Sequence, residues 1–224
     1  MSELIKEQSI YVEKKQDLSI NSARSYVVMK RAVDIVGSLV GLILLFIVFI
    51  FIALLIKLED PKGKVLFKQK RVGKDGKEFY MYKFRSMASD AEERLKELLA
   101  LNEASGAMFK MKDDPRVTKV GKFIRKTSID ELPQLFNVLR GDMSLVGPRP
   151  PLPREVAEYT SYDRQRLLVV PGCTGLWQVS GRSNVGFEEM VELDISYIKK
   201  RSLFFDIQII LKTVLVLFGS KDAY

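Results

Sequence analysis

The sharpest feature of the hydropathy pattern is residues 35–56, which contain no charged side chain and reach the length that crosses a hydrocarbon core of ~30 Å. They are read as a membrane segment. A polar leader of mixed charge precedes them, so a cleavable secretory signal, which starts near the N-terminus and ends in small residues, is not expected. Basic side chains flank both ends, with Lys30 and Arg31 before the run and Lys57, Lys62, Lys64, Lys68, Lys70 and Arg71 after it. Positive flanks stay cytoplasmic, which favours a re-entrant helix entering and leaving on one face over the alternative of a single-pass anchor. Asp34 is read as a local ion-pair partner of Lys30 and Arg31.

Beyond this run the period changes. Residues 65–69 and 78–84 are β-rich and flank Lys74-Asp75-Gly76-Lys77, where Asp-Gly signals a hairpin turn. Ser89 with Glu92 forms a capping box for a helix through Asn102, with Leu95, Leu98 and Leu99 on one face. Asp113-Asp114-Pro115-Arg116 breaks the chain and a short helix covers 119–125. Another begins after Ser128, with Leu132, Leu135, Phe136 and Leu139 at helical spacing and Gly141 as its stop. Gly147-Pro148-Arg149-Pro150-Pro151 is a rigid bend. Helices are predicted over 154–168 and 187–200, separated by a loop rich in glycine. Residues 203–218 are strongly apolar but contain Asp206, Gln208 and Lys212, which fits either a core helix or one lying in a membrane interface. The predicted class is α+β and mainly helical: an N-terminal re-entrant membrane helix, a short β-hairpin, and amphipathic interfacial helices around a small cytoplasmic domain. The divisions fall at residues 1–29, 30–58 and 59–224.

Composition narrows the chemistry. A length of 224 residues suits one domain of ordinary size with an appended element. Histidine is absent, which excludes a Ser-His-Asp triad, His-ligated zinc and an imidazole base, so catalysis must rest on carboxylates, Lys, Arg, Tyr or hydroxyls. The lone Cys173 excludes an internal disulfide and fits a reducing compartment. The net charge of +8, from 36 basic and 28 acidic residues, points to an anionic partner: nucleic acid, acidic headgroups or a phosphorylated small molecule.

The densest chemical stretch is Thr127-Ser128-Ile129-Asp130-Glu131-Leu132-Pro133-Gln134. One reading is purely architectural, because Ser128 with Glu131 is itself a capping box, Asp favours a first turn and Pro133 is tolerated near a helix start. The other is chemical. A carboxylate on a first helical turn is held ionised by the dipole, the same N-terminus attracts phosphate, and an ionised Asp can attack phosphorus. Positive charge stands at suggestive bends: Lys83 and Arg85 after the hairpin, Arg125 before the acidic pair, Arg149 between Pro148 and Pro150, and Arg182 after Gly181. The fixed φ angles of the prolines aim the Arg149 guanidinium.

Six blocks occur in order: Lys30-Arg31-Ala32-Val33-Asp34, Tyr82-Lys83-Phe84-Arg85-Ser86-Met87, Asp114-Pro115-Arg116-Val117-Thr118-Lys119-Val120-Gly121, Asp130-Glu131-Leu132-Pro133-Gln134, Gly141-Asp142-Met143-Ser144-Leu145-Val146-Gly147-Pro148-Arg149-Pro150, and Pro171-Gly172-Cys173-Thr174-Gly175-Leu176-Trp177-Gln178-Val179-Ser180-Gly181-Arg182. From Lys30 onward the chain resembles the bacterial sugar transferases, monotopic polyprenyl-phosphate hexose-1-phosphate transferases. The resemblance implies a membrane enzyme that moves a sugar-1-phosphate from a UDP-sugar to undecaprenyl phosphate, releases UMP, and starts an exopolysaccharide or capsule repeat unit. It implies Mg²⁺, Asp130 as nucleophile and magnesium ligand, and Glu131 as its catalytic partner. Pro148 and Pro150 would shape the site, while Lys83, Arg85, Arg125, Arg149, Gln178 and Arg182 would bind the donor diphosphate and the lipid phosphate. The implied location is the bacterial inner membrane with the catalytic domain, 59–224, on the cytoplasmic face, and a homodimer would suit such a module.

The chain also departs from the family pattern. Small members often break the membrane helix with Ser-Pro, whereas residues 35–56 lack proline and offer only Gly37-Ser38 and Gly41 as weaker hinges. Larger members carry further spans and another soluble domain, and this chain is expected to be the catalytic module alone. The form of its Gly175 to Ser183 block looks more like galactose or glucose members. Two rivals stand beside this reading: a membrane-tethered nucleic-acid-binding protein, weakened by the absence of a recognised motif, and a non-enzymatic scaffold in which Asp130 and Glu131 only cap a helix.

Overall fold

The computed structural model describes residues 20–91, 93–94, 114–181 and 185–219. The capping box at Glu92 and most of the helix predicted from Ser89 lie outside them, as does Arg182.

The apolar run forms two helices, α1 (Arg24–Leu44) and α2 (Phe46–Glu59). They are bent by 60° at Leu45, and neither alone is long and apolar enough to cross a membrane. No proline is needed for this break. The Ser38 hydroxyl donates back to Asp34 O and Ile35 O within α1, about two turns before the break. The two helices also dock on different surfaces. Gly37 and Gly41 let α1 approach closely, since a Cβ at these positions would stand 2.7 Å from Leu145 Cδ1 and 3.1 Å from Leu135 Cδ1. By contrast, α2 buries Ile52 and Ile56 against Phe84 and Ile124. The helix starts at Arg24, inside the stretch assigned to the leader.

Strands β1 (Leu66–Val72) and β2 (Glu78–Phe84) pair antiparallel across a turn in which Asp75 and Gly76 both have positive φ, as a tight hairpin requires. Helix α3 (Lys119–Lys126) is capped by Thr118, whose hydroxyl accepts from Gly121 N. Glu59 at the end of α2 accepts from Lys119 N and Val120 N, so a carboxylate sits at the positive end of α3.

Helix α4 (Gln134–Arg140) ends at Gly141, whose φ of 89° supplies the left-handed stop read from the sequence. Fully buried Asn137 stitches α4 to β2: its amide donates to Tyr80 O and its carbonyl accepts from Tyr82 N. Strand β3 (Ser144–Val146) then pairs in parallel with β4 (Gly172–Thr174). Between them lie α5 (Pro153–Ala157) and a 3₁₀ turn over Asp163–Leu168. The single helix expected over 154–168 is therefore broken. Thr160 and Asp163 exchange backbone and side-chain bonds at the break, and such local bonds compete with helix continuation.

Helices α6 (Leu176–Ser180), α7 (Phe187–Lys200) and α8 (Leu203–Gly219) complete the order, and α7 has the bounds predicted from the sequence. One core cluster joins β3, α7 and α8 through Val146, Val169, Tyr197, Ile198 and Ile209. Buried Asp206 on α8 accepts from Tyr26 and Tyr197 and pairs with Lys30 at 3.0 Å, locking α1, α7 and α8 together. Asp34 takes different partners from those expected, accepting from the Ser144 hydroxyl and Leu145 N. Lys30 is engaged by Asp206, and Arg31 donates to the Val138 and Leu139 carbonyls at the end of α4. The last helix joins the core by one face, with Asp206 turned inward rather than outward, while Phe204, Leu211 and Leu215 are 60–71% exposed. Ile43, Leu44 and Ile47, around the α1–α2 break, are 72–78% exposed, which extends the apolar surface.

Candidate active site

Side chains alternate along β2, so Met81 and Lys83 face one way, into a cleft of about 530 Å³. The segment after α3 delivers the acids. Ser128 has φ 55° and ψ 16°, a conformation unusual for a residue with a side chain, and a 3₁₀ turn over Ile129–Glu131 follows. The capping box read from Ser128 and Glu131 does not form. Ser128 makes no side-chain cap bond, and the Glu131 carboxylate accepts from Lys83 Nζ at 2.6 Å. Lys83 stands 3.9 Å from the nearer Asp130 oxygen.

The two neighbouring acids are thereby driven apart electrostatically. Burial raises the Asp130 carboxyl to about 6, with Lys83 offsetting only part of the desolvation. For Glu131, burial also acts upward, but the Lys83 contact and the charges of Arg149 and Arg71 outweigh it and hold the acid below its ordinary range. Such divergence within one pair is the physical mark of two carboxylates with different tasks.

Cations surround the pair. Arg125, near the end of α3, lines the cleft and donates to the Ser86 hydroxyl. Arg149 follows β3 and contacts Glu155 at 3.3 Å through one guanidinium nitrogen. Its backbone carbonyl lies 3.5 Å from Arg166 Nη2, whose guanidinium is paired with buried Asp194. Arg71 donates to Pro150 O and Gln69, and burial lowers it to about 10. Cys173 also lines the cleft, but desolvation and the charges of Glu131 and Asp34 push its thiol upward, which disfavours the thiolate a nucleophile needs. A basic cleft with one half-restrained carboxylate suits attack on a phosphorylated substrate.

The bacterial sugar transferase family matches residues 25–220. The chain belongs to that family. Among its relatives, galactosyl transferase CpsE of Streptococcus agalactiae serotype III is 52% identical over 198 residues, 88% of this chain and 44% of that protein. An undecaprenyl-phosphate galactose phosphotransferase of Salmonella typhimurium is 47% identical over 205 residues, 90% of this chain and 43% of that protein. Exopolysaccharide production protein ExoY of Rhizobium meliloti is 41% identical over 199 residues, 87% and 88% of the two chains. The chain thus spans less than half the length of the first two relatives and most of ExoY.

Within this sugar transferase, Asp130, Glu131, Lys83, Arg125, Arg149, Pro150 and Gln178 all line the one cleft. Gln178 donates to Cys173 O, while its amide oxygen is buried without a partner. Pro148 does not itself line the cleft, but its carbonyl accepts from the N–H of Gly172, which does. Arg85 lies elsewhere: its guanidinium is paired with the Asp60 carboxylate and donates to Asp60 O, pinning the segment after α2. Alternation would carry Arg85 to the Lys83 face, but β2 ends at Phe84 and the Asp60 contacts turn the guanidinium away from the cleft. Arg71 and Trp177 also line the cleft, and neither is among the site residues that the sequence singles out. By sequence Arg71 stands only as a membrane flank, whereas its register opposite Phe79 on β2 puts it on the Met81 and Lys83 face. Trp177 has a buried indole N–H with no partner.

Among the described residues no group of three or more Asp, Glu, Cys or His could hold a metal ion. Two carboxylates are nevertheless the donor set that Mg²⁺ uses when phosphates and water complete its shell, so Asp130 and Glu131 fit that ion.

Proposed function

We propose that this chain transfers a hexose-1-phosphate, galactose or glucose, from a UDP-sugar to undecaprenyl phosphate at the cytoplasmic face of the bacterial inner membrane, initiating an exopolysaccharide or capsule repeat unit. The observation that carries the proposal is the placement of Asp130 in a basic cleft with its neighbour Glu131 neutralised by Lys83. The CpsE and undecaprenyl-phosphate galactose phosphotransferase relatives support the sugar and the acceptor.

In the first half-reaction the ionised Asp130 carboxylate attacks the β-phosphorus of the UDP-sugar. A carboxylate O–P bond forms, the bridging P–O bond to the α-phosphate breaks, and UMP departs with the electron pair. In the second, an oxygen of undecaprenyl phosphate attacks the same phosphorus and Asp130 leaves as a carboxylate. No proton is consumed overall, which suits a site without histidine. Arg125 and Arg149 orient the anionic groups and reduce their repulsion from the acids. When bound through Asp130 and Glu131, Mg²⁺ would supply further neutralisation of the diphosphate.

The acceptor needs the cleft at headgroup depth. The bent α1–α2 pair, with exposed apolar side chains around Leu45 and basic residues on both flanks, supports a re-entrant hairpin that enters and leaves on the cytoplasmic side. A homodimer would add area to this membrane-facing surface. The test is UMP release from a panel of UDP-sugars by solubilised chain with Mg²⁺. Release that requires undecaprenyl phosphate is expected, and no release with any donor would favour a non-enzymatic scaffold.

A further inference from the structure

The cleft has two sides of different chemistry. It is lined by Asp130, Glu131 and the guanidinium groups, and also by the apolar side chains of Leu135, Leu145 and, from α8, Ile210 and Val214, which form an apolar wall. The one hydroxyl that α8 turns to this wall is already satisfied, because Thr213 donates to Ile209 O and shares a 2.7 Å hydrogen bond with Thr174. Leu135 and Leu145 are the same side chains that seat against Gly41 and Gly37 of α1. A single layer of side chains therefore separates the cleft from α1. On the opposite side Val214 has two memberships: it lines the cleft, and it is 45% exposed in a stripe with Ile207 and Leu211. The exposed apolar face of α8 thus continues without a polar interruption into a cleft that ends at an anion-binding floor.

We propose that this corridor, between α8 and the Leu135–Leu145 wall, receives the isoprene units nearest the phosphate of the acceptor. The inference rests on the transferase reading above and adds the recognition element for the lipid. Charge selects the end of the molecule and apolar shape selects its stem. A phosphate with a branched hydrocarbon tail matches both sides of the cleft, whereas a diacyl phospholipid needs room for two chains and a glycerol, and the sugar of the donor gains little from a wall whose hydroxyls, Thr174 and Thr213, already bond to each other. Val214 is a specificity residue in this account.

The test uses the full chain in phosphatidylethanolamine–phosphatidylglycerol nanodiscs, with two variants on the same helix. Val214→Trp fills the corridor, and Leu211→Trp enlarges the outer face one turn earlier. Val214→Trp should raise KM for undecaprenyl phosphate by ~10-fold or more, with KM for the UDP-sugar within about twofold of wild type. Leu211→Trp should leave both constants within about twofold. An unchanged acceptor KM in Val214→Trp overturns the corridor, as does an equal rise in both variants, which would assign the effect to membrane seating. A rise in the UDP-sugar KM alone would give the wall to the donor and also overturn it. Exchange of labelled UMP into UDP-sugar without acceptor separates the two levels: wild type lacking both exchange and release defeats the transferase reading itself, whereas exchange with an unaltered acceptor KM defeats only the corridor.

Discussion

Lys83 Nζ lies 2.6 Å from Glu131 and 3.9 Å from Asp130. The ammonium gives its short contact to one acid and only a longer-range field to the other, and the consequence is a low-titrating Glu131 beside an Asp130 raised to about 6. At neutral pH Asp130 is mostly ionised and is held in an environment that opposes its charge. A carboxylate in that state gains by sharing its charge with an electrophile, which is what attack on phosphorus accomplishes.

That burden should be visible in stability. The folded Asp130 holds its proton to about 6, against an ordinary 3.8, so the folded chain binds more protons between those values. Stability is then lost as pH rises through that window and stays lost above it. In magnesium-free buffer Asp130→Asn should melt at a higher temperature than wild type near pH ~7.5, with the gap closing towards pH ~4. Thermal melts at both pH values decide this, and an equal or lower midpoint near pH ~7.5 would contradict the assigned environment.

Lys83→Met removes the cation from both acids. Glu131 should then titrate higher, and the acid limb of the kcat/KM profile should move to higher pH, with activity at pH ~7 reduced ~10–100-fold and partly restored near pH ~8.5. A uniform loss at every pH would mean that Lys83 serves only to bind substrate.

Arg149 makes a single contact to Glu155 while facing the cleft. If it grips a phosphate with two parallel bonds, Lys keeps the charge but loses the planar fork. Arg149→Lys should lower kcat/KM by ~10–1,000-fold, with fold and membrane association retained. Steady-state kinetics at saturating undecaprenyl phosphate check it, and a variant within about twofold of wild type would reduce Arg149 to a surface charge.

The hairpin, α7 and the Gly141 stop were legible because each is set by local chemistry: Asp-Gly at positive φ, helical spacing, and a residue free to adopt the left-handed conformation. The acidic pair was legible as a sequence feature, but its alternative as a capping box could be dismissed only once Glu131 was seen bonded to a strand residue distant in sequence. Arg85 and Arg71 show the same limit. Both are basic residues at strand ends, and their tertiary partners, Asp60 for one and Pro150 for the other, decide which faces the cleft. The break at Leu45 has no local mark of the usual kind. It arises where α1 docks on Leu135 and Leu145 while α2 docks on Phe84 and Ile124.

The membrane topology has its own test. Lys200 is exposed at the end of α7, and Ser9 belongs to the leader. Single cysteines at these positions, in a Cys173→Ser background, should both be inaccessible to a membrane-impermeant thiol reagent in intact cells and both label after permeabilisation. Labelling of Ser9→Cys from outside while Lys200→Cys stays protected would make the α1–α2 pair a true span.

The central claim is that Asp130 carries the sugar phosphate. Wild-type chain incubated with UDP-galactose or UDP-glucose and Mg²⁺, without acceptor, should release UMP and gain the mass of one hexose phosphate on the peptide containing Asp130. Undecaprenyl phosphate should discharge that adduct, and Asp130→Asn, folded and membrane-bound, should form none. An adduct that persists in Asp130→Asn, or turnover in wild type with no adduct and no UMP released before the lipid is added, would contradict the account.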